Sequence, residues 1–410
     1  MNVFSLSAKN VVAKPLSSLL SVLLFGFGVS IIVIILLTSS FMKNEISKNA
    51  AGIDLVVGAK GSPLQIILAS IFHVDFPTGN ISLADARNLT RNRLVASAIP
   101  LSLGDSYRGY RIVGTTEKYV ELYKAELEQG EFFNAKMTAI VGSNVASLLG
   151  VSLGDALASD HGLSEGAGDH DENPYKVVGI LKPSGSVIDN LVITSIQSVW
   201  EVHGHEEEHD EPGMGEVELE KLGVTVTEEQ LTEEDITSIF IKYRSPMAAV
   251  QLPRIVNGTS NLQAASPPYE TARLFNIIGV GVEVVNILGV VIIILSAVSV
   301  FIALINSLKE RKYELAIMRS MGAGRTKIFV LILIEGLILT IIGSFFGFGL
   351  AHFGFGMLGV SVDQFDASAL FFVEEEYIVF GGSMIVGIFA SLIPAILAYR
   401  ADISETLARG

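Results

Sequence analysis

The sequence predicts an α-helical membrane protein with four transmembrane helices and a large α+β periplasmic domain inserted between helices 1 and 2. Half of the 410 residues are apolar, only 17% are charged, and the mean hydropathy is +0.51, a balance unlike that of ordinary soluble proteins. Four apolar runs without Asp, Glu, Lys or Arg are each long enough to cross a bilayer, which takes about 20 residues. One run precedes a long polar segment, and three follow it.

These runs define the expected membrane helices. Helix 1 is expected over residues 15–42, because the 28 residues between Lys14 and Lys43 carry no charge. A cleaved signal peptide is the alternative, but its apolar region would be only about 7 to 15 residues long. Helix 2 is expected over 275–308, and its length of about 51 Å exceeds a core of about 30 Å, so part of it should project outward as a stalk. Helices 3 and 4 are expected over 328–352 and 377–399.

Charge placement predicts the orientation of the chain. Lys and Arg concentrate in short cytoplasmic loops; residues 309–327 contain six basic side chains, whereas residues 353–376 contain five acidic side chains and no basic one. The N-terminal segment 1–14, the loop 309–327 and the tail 400–410 are therefore expected in the cytoplasm. Residues 43–273 and the loop 353–376 are expected in the periplasm, which makes this a multi-pass protein of the cell inner membrane.

Composition excludes several classes of function. The formal charge of -15, from 28 basic and 43 acidic residues, argues against nucleic-acid binding, because phosphate contacts need clustered Lys and Arg. The chain has no cysteine, which excludes disulfides, thiolate metal sites and cysteine nucleophiles. The patterns GxSxG, HExxH and GxxxxGK[ST] are absent from the sequence, so no catalytic residue is expected.

The polar segment mixes strand and helix patterns. Runs rich in Val and Ile, bounded by Gly, Pro, Asn or Asp, predict strands. These strands are expected over 55–57, 139–141, 175–181, 190–194 and 239–243. Helices are expected over 83–93, 118–128 and 144–149, the last of which Gly150 can end.

An acidic, histidine-rich insertion lies near residues 159–211. It holds five of the seven histidines, with twelve Asp or Glu between residues 160 and 211, and its densest part reads HGHEEEHDE. Imidazoles beside carboxylates suit Zn²⁺ and neighbouring divalent ions, which points to a metal sensor, a metal-collecting loop or a loading site. A solvated acidic insertion is the alternative, because Gly-rich stretches such as GLSEGAG favour flexibility. The candidate metal ligands are His161, His170, His203, His205 and His209.

The third membrane helix carries a carboxylate and closely spaced glycines. Glu335 lies about 12 Å past Lys327, within the cytoplasmic part of the helix, where a buried charge is costly. It serves either as a proton or ion relay or as a hydrogen-bonding group between helices. Gly343 and Gly347 have the GxxxG spacing that allows close helix packing, within one chain or between two.

The loop 309–327 predicts a short amphipathic helix. Tyr313, Ile317 and Met321 recur at helical spacing, and Gly322 is available to end the helix. A helix of this kind either docks into a groove on a cytoplasmic partner or lies against anionic lipid headgroups.

The same residues resemble a known family. The run ERKYELAIMRSMGAGRTKIFVLILIEGL is similar to the core of MacB/FtsX-type ABC transporter permeases, in which a pattern RxxEIxxLRAxGA leads into a span containing a Glu. The matching positions are Arg311, Glu314, Leu315, Met318, Arg319, Met321, Gly322 and Ala323, followed by Glu335 in the span. The ending PAILAYRADISETLARG also resembles that of the family, except that Ile403 and Thr406 replace a Pro and an Ala.

The resemblance implies a permease subunit that binds no cofactor directly and is not an enzyme. A separate cytoplasmic ABC ATPase would use the ATP and dock on the loop 309–327, and a second permease chain, identical or related, would complete the complex. Its action would be export or mechanical work in the periplasm, with Zn²⁺ at the insertion suggesting a link to metal homeostasis. A periplasmic protein and membrane lipids are further expected partners. The alternative is a membrane-anchored periplasmic sensor or metal-binding protein without transport.

Overall fold

The computed structural model describes residues 3–161, 174–202, 216–361 and 374–400. Within these ranges the chain divides into two compact units. The membrane unit consists of Met1–Lys43 and Ile277–Gly410, and the periplasmic unit consists of Asn44–Asn276. The predicted insertion of a large domain between the first and second membrane helices is therefore confirmed.

The membrane unit is helical. Its helices are α1 (Val3–Ala13), α2 (Pro15–Asn49), α10 (Pro267–Glu310), α11 (Lys312–Ser320), α12 (Arg325–Ser361) and α13 (Glu374–Arg400). Among the described helices, α2, α10, α12 and α13 are long and apolar enough to cross a membrane. Residues 44–49 of α2 and 267–276 of α10 belong to the periplasmic unit.

Several membrane helices are longer than the sequence predicts. Helix α12 continues to Ser361, which shortens the loop expected over 353–376, because residues 353–361 contain no proline or charge that would end an apolar helix. Within the described residues, helix α13 already includes Glu374–Glu376, which the sequence places in the loop before helix 4. Helix α10 begins at Pro267, whose missing N–H would have no helical partner at this first position.

Small residues allow α2 and α12 to pack closely. A Cβ added to Gly347 would lie 2.5 Å from the carbonyl oxygen of Gly26, and one added to Gly26 would lie 3.0 Å from the carbonyl oxygen of Gly343. Neither position has room for a side chain without separating the two backbones. The predicted GxxxG pair therefore forms a helix contact within one chain.

The periplasmic unit contains short helices and many strands. Its helices are α3 (Pro63–Ser70), α4 (Leu83–Thr90), α5 (Glu117–Leu122), α6 (Ser143–Leu149), α7 (Ile196–Val202), α8 (Glu228–Glu233) and α9 (Pro246–Thr259). Its strands are β1 (Leu55–Ala59), β2 (Ile81–Ser82), β3 (Val95–Tyr107), β4 (Tyr110–Thr115), β5 (Leu127–Gly130), β6 (Thr138–Val141), β7 (Ala156–Leu157), β8 (Asp160–His161), β9 (Tyr175–Leu181), β10 (Val192–Ser195), β11 (Glu216–Leu219), β12 (Val224–Thr227), β13 (Asp235–Ile236), β14 (Ser238–Tyr243) and β15 (Leu262–Ala265).

Eleven strands within the described residues form one mixed sheet. Their order is β15-β1-β14-β3-β4-β10-β6-β9-β5, with β7 beside β9 and β8 beside β3. Strand β10 is parallel to β4, and β6 is parallel to β9. The five predicted strands overlap β1, β6, β9, β10 and β14 of this sheet, although the strand expected over 190–194 begins only at Val192.

Two predicted helices end earlier than expected. The helix expected over 83–93 stops at Thr90. The helix expected over 118–128 stops at Leu122, and residues 127–130 form β5, which pairs with β9. Lys124 has a φ of 52°, which takes the backbone out of the right-handed helical region. Gly150, with a φ of 67°, ends α6 as predicted.

The first and last strands of the periplasmic unit, which follow α2 and precede α10, are neighbours in the sheet. Strand β1 follows α2, strand β15 precedes α10, and the two pair antiparallel with Val56 opposite Ala265. Side chains of β1 alternate between the faces of the sheet. Leu55 and Val57 pack in a core that includes Trp200, whereas Val56 packs in a core that includes Tyr119.

Candidate functional site

Helix α11 lies between the second and third membrane helices and is bounded by two irregular residues. Arg311 separates it from α10, with a φ of -107° and a ψ of 14°. At the other end Gly322 has a φ of 96°, and the amide of Ala323 donates to the carbonyl of Met318 at 2.9 Å. The left-handed conformation of Gly322 allows this hydrogen bond to a carbonyl at the helix end, so Gly322 ends α11 as the sequence predicts.

One face of α11 packs inside the membrane unit. Leu315 is 7% exposed and Ala316 is also buried, and Met318 packs beside them. Their apolar cluster includes residues of the neighbouring membrane helices: Leu308, Ile328, Leu331, Ile332, Ala395 and Ala398. This face holds α11 against the bundle, so Leu315 and Met318 are not surface residues available to a partner.

The opposite face of α11 is apolar and exposed. Tyr313, Ile317 and Met321 are 53%, 37% and 81% exposed, respectively. Their spacing of four residues places them along one stripe of the helix. The stripe is flanked by exposed Lys312 and Glu314. An apolar stripe with charged neighbours is suited to contact with another protein surface.

The remaining predicted coupling residues occupy the end of α11. Arg319 and Ala323 are half-buried, and Gly322 is exposed. The structure thus separates the eight predicted positions into inward and outward groups, which the family pattern alone does not do. Tyr313 and Ile317 share the helical spacing of this stripe but fall outside that pattern.

Glu335 is the centre of a buried polar cluster. It is 2% exposed and accepts hydrogen bonds from Nδ2 of Asn10 and from Nη1 of Arg311, the latter at 3.2 Å. Nη2 of Arg311 donates to Oδ1 of Asn10 at 2.5 Å, and its Nε donates to Glu314 at 3.1 Å. The charge of Glu335 is therefore paired and hydrogen-bonded, as a buried carboxylate requires.

This cluster connects α1, α11 and α12 around Arg311. Sequence reasoning identified Glu335 and Arg311 separately but missed Asn10. A signal existed, because Asn10 is a short amide within the helix-forming segment VFSLSAKNVVA. Its partner lies 325 positions later in the chain, and no local pattern predicts such a pairing.

A second polar pair links α12 and α13. Nε2 of His352 lies 3.1 Å from Oε2 of Glu376, and Glu376 is 0% exposed. This buried contact gives His352 a role in holding the two helices together. It joins two helices whose connection includes residues 362–373, which lie outside the described residues.

The end of α2 is fixed to the periplasmic unit by a set of hydrogen bonds. Lys48 Nζ donates to the carbonyls of Ser184 and Gly185, at 3.1 and 2.5 Å. Asn49 is buried; its Oδ1 accepts from the amide of Val187 at 2.8 Å, and its carbonyl accepts from Tyr123 Oη at 3.2 Å. This network fixes the C-terminal turn of α2 within the unit.

Buried polar groups continue inside the periplasmic core. Nε2 of His73 lies 2.9 Å from Tyr119 Oη. Burial, aided by the charge of Arg111, lowers the pKa of His73 from 6.5 to about 3, so its imidazole is neutral at pH 7. Its φ of 55° places it in the left-handed region. The burial of His73 and its contact with Tyr119 are those of a structural residue of the core.

Most of the predicted metal ligands lie outside the described residues. The backbone of His161 belongs to β8 and is opposite Asp105 of β3. His170, His203, His205 and His209 fall in the ranges 162–173 and 203–215, which the structure does not describe. Within the described part of the chain, no group of three or more His, Asp or Glu side chains is arranged to hold a metal ion.

Comparisons with known proteins cover most of the chain. Residues 18–252 match the MacB-like periplasmic core domain, and residues 286–403 match the FtsX-like permease C-terminal domain. No functionally curated protein matches the sequence.

Two solved structures are also similar. The periplasmic region of MacB from Actinobacillus actinomycetemcomitans is 12% identical, with a TM-score of 0.33, over 56% of this chain and 98% of that chain. The extracellular domain of the noncanonic ABC-type transporter YknZ from Gram-positive bacteria is 14% identical, with a TM-score of 0.30, over 52% of this chain and 99% of that chain. The chain belongs to the MacB/FtsX-type family of ABC transporter permeases.

Proposed function

We propose that this permease subunit couples ATP hydrolysis by a separate cytoplasmic subunit to export or mechanical work in the periplasm. Family membership supports the permease assignment and implies both an ABC ATPase partner and a dimeric permease. The observation that carries the proposal is the exposed stripe of Tyr313, Ile317 and Met321 on α11. The ATPase subunit docks on this stripe.

The docking proposal is tested by charge substitution on the outward face of α11. Ile317→Asp combined with Met321→Asp should lower the amount of co-purified ABC ATPase at least tenfold, because apolar anchors dominate protein interfaces and about 1.4 kcal/mol is one factor of ten. Ser320→Asp is the matched control, since it adds a charge at an exposed polar position of the same helix. The measurement is affinity purification of the full chain, with the ATPase identified by its Walker A sequence.

Equal recovery of the ATPase by both variants would contradict docking on this stripe. Complete absence of an ABC ATPase from the wild-type preparation would favour the alternative of a membrane-anchored sensor without transport. Met318 is left unchanged in this experiment because it packs inward, and its substitution would disturb the bundle.

The proposed orientation places both termini and α11 in the cytoplasm. The six basic residues of the loop 309–327 support this arrangement. Because the chain has no cysteine, single cysteines report accessibility without background. Ser320→Cys should react with a membrane-impermeant maleimide only after the inner membrane is opened, whereas Ser147→Cys in α6 should react before it. The reverse pattern would contradict the orientation.

Metal binding by the histidine-rich insertion remains a separate proposal. Its support is the sequence HGHEEEHDE, which places three imidazoles beside five carboxylates. We expect the full chain to bind Zn²⁺ weakly and the His203→Ala, His205→Ala, His209→Ala variant to bind less in calorimetry. Equal binding by both proteins would exclude these histidines and, with them, the suggested link to metal homeostasis.

A further inference from the structure

The junction between α10 and α11 consists of one residue, Arg311. The amide of Arg311 donates to the carbonyl of Ser307 at 3.2 Å, within the last turn of α10, and its carbonyl accepts from the amide of Leu315 at 3.0 Å. Its ψ of 14° nevertheless departs from helical geometry. The direction in which α11 leaves α10 therefore depends on the torsion angles of this residue.

The side chain of Arg311 is held on more than one side. Its guanidinium donates to Asn10 in α1, to Glu335 in α12 and to Glu314 in α11. Asn10 also donates to the same Glu335 oxygen that Arg311 contacts, so these three side chains form a closed set of hydrogen bonds. A planar guanidinium with donors in fixed directions fits such a set, whereas a lysine ammonium does not.

Burial distinguishes the contacts that matter. The side chain of Arg311 is 17% exposed and that of Glu335 only 3%, whereas that of Glu314 is 66% exposed. Exposed ion pairs contribute little, because solvent screens the charges. The contacts with Glu335 and Asn10 are therefore the ones that restrict the guanidinium.

Apolar packing alone does not fix both ends of α11. Leu315 and Met318 pack against the bundle in the middle and second half of the helix. The N-terminal end lies next to Arg311, and Tyr313 on that end is exposed. A helix held only through its inward face is free to pivot about that contact.

We propose that Arg311 is a positioning residue: its hydrogen bonds with Glu335 and Asn10 fix the angle between α10 and α11, and so hold the exposed stripe of α11 in the orientation that an ATPase meets. The role of this fixed angle in meeting an ATPase rests on the proposed docking function. The fixed angle itself depends only on residues of the permease chain. Load applied to α11 passes through Arg311 to α1 and α12.

The test measures the position of α11 directly in the full chain. Ser320→Cys on α11 and Phe345→Cys on α12 are spin-labelled in the cysteine-free protein, and the distance distribution between the labels is recorded in lipid nanodiscs. Both positions are exposed. Arg311→Lys, which keeps the charge but loses the planar fork, should widen the distribution at least twofold.

Matched variants separate positioning from general loss of structure. Glu335→Gln should widen the distribution as Arg311→Lys does, and the double variant should be no wider than either single variant, because both changes open one cluster. Asn10→Ala retains the ion pair and should give a smaller widening, which provides a readout even where Glu335→Gln does not fold. Glu314→Gln, which alters only the exposed contact, should leave the distribution unchanged.

An unchanged distribution in Arg311→Lys would overturn the proposal. So would equal widening by Glu314→Gln. If Arg311 had only a general structural role, Arg311→Lys would lower the unfolding temperature but leave the distance distribution as narrow as in the wild-type protein. That result would also contradict the proposal. The ATPase is absent from this experiment, so failure of the docking proposal and failure of this inference are observed independently.

Discussion

The backbone amide of Val187 donates a hydrogen bond to Oδ1 of Asn49 at 2.8 Å, which joins the last residue of α2 to the 3₁₀ helix Val187–Asn190 before β10. Asn49 also accepts at its carbonyl from Tyr123 and is 6% exposed. These hydrogen bonds fix the last residue of α2 within the periplasmic unit, to which residues 44–49 belong. This attachment makes Asn49 a test of how the periplasmic unit is held together.

Replacing Asn49 by alanine should destabilise the periplasmic unit by about 1–3 kcal/mol, because the buried amide of Val187 loses its acceptor. The sole tryptophan, Trp200, reports this unit, since it is buried and donates from Nε1 to the carbonyl of Asp235 at 2.8 Å. Its fluorescence during urea unfolding of the full chain provides the measurement. Asn44→Ala, at an exposed position of the same helix, should change stability by no more than about 0.5 kcal/mol.

The free energy of unfolding of the periplasmic unit should decrease as the pH is lowered, because of His73. Its pKa is lowered to about 3 in the folded state, so its contribution is complete above the unfolded pKa of 6.5 and is lost as the pH falls from 6.5 towards 3. Between pH 7 and pH 5 this loss is about 2 kcal/mol. Asparagine tolerates the positive φ at this position and does not titrate. Between pH 7 and pH 5, the free energy of unfolding of the His73→Asn variant should therefore decrease by about 2 kcal/mol less than that of the wild-type protein. Parallel pH profiles from Trp200 fluorescence would argue against this assignment.

Close packing of α2 and α12 should make Gly347 intolerant of even one methyl group. Gly347→Ala places a Cβ about 2.5 Å from the carbonyl oxygen of Gly26 and should destabilise the membrane unit by about 1–3 kcal/mol. The control is Gly349→Ala in the same helix, where, apart from its chain neighbours and the adjacent backbone of α12, no atom of the described residues lies within 4 Å of the added methyl. In thermal unfolding measured in detergent, the unfolding temperature should therefore be lower for Gly347→Ala and unchanged for Gly349→Ala. Equal transitions would show that the two helices separate without cost.

The contact between His352 and Glu376 should be important for the packing of α12 on α13. Glu376→Ala removes the hydrogen-bond partner of the His352 ring and should cost about 1–3 kcal/mol. Glu375→Ala is the control, because Glu375 precedes it in the chain and is exposed. The same thermal assay in detergent distinguishes the two. A small effect of Glu376→Ala, similar to that of the control, would assign the pair no structural importance.

Local sequence patterns predict the elements of this protein that are marked by the length of an apolar run or by the spacing of its apolar residues. The uncharged runs identified the membrane helices, and the Val- and Ile-rich runs identified strands of the main sheet. The longest strand, β3, escaped prediction because Pro100 and Gly104 interrupt its pattern, although tertiary pairing with β14 and β4 compensates for them.

The candidate site was predicted only in part, because its contacts are distant in sequence. The helical spacing of Tyr313, Ile317 and Met321 correctly indicated one face of α11, but spacing alone did not tell which face is exposed. That choice is made by the apolar cluster around Leu315. Asn10 became part of the site only through folding, since its partners Arg311 and Glu335 are remote in the chain.

Strands β1 and β15 lie side by side, with Val56 opposite Ala265, so the segment between them starts and finishes at nearly the same point in space. Antiparallel partners of this kind have Cα atoms only about 4.5–5.5 Å apart. A domain whose two ends meet can be grafted into, or cut out of, a host chain with little effect on the host. We therefore expect this module to be exchangeable between related permeases as one piece, provided that the last turn of α2, with Lys48 and Asn49, is exchanged with it.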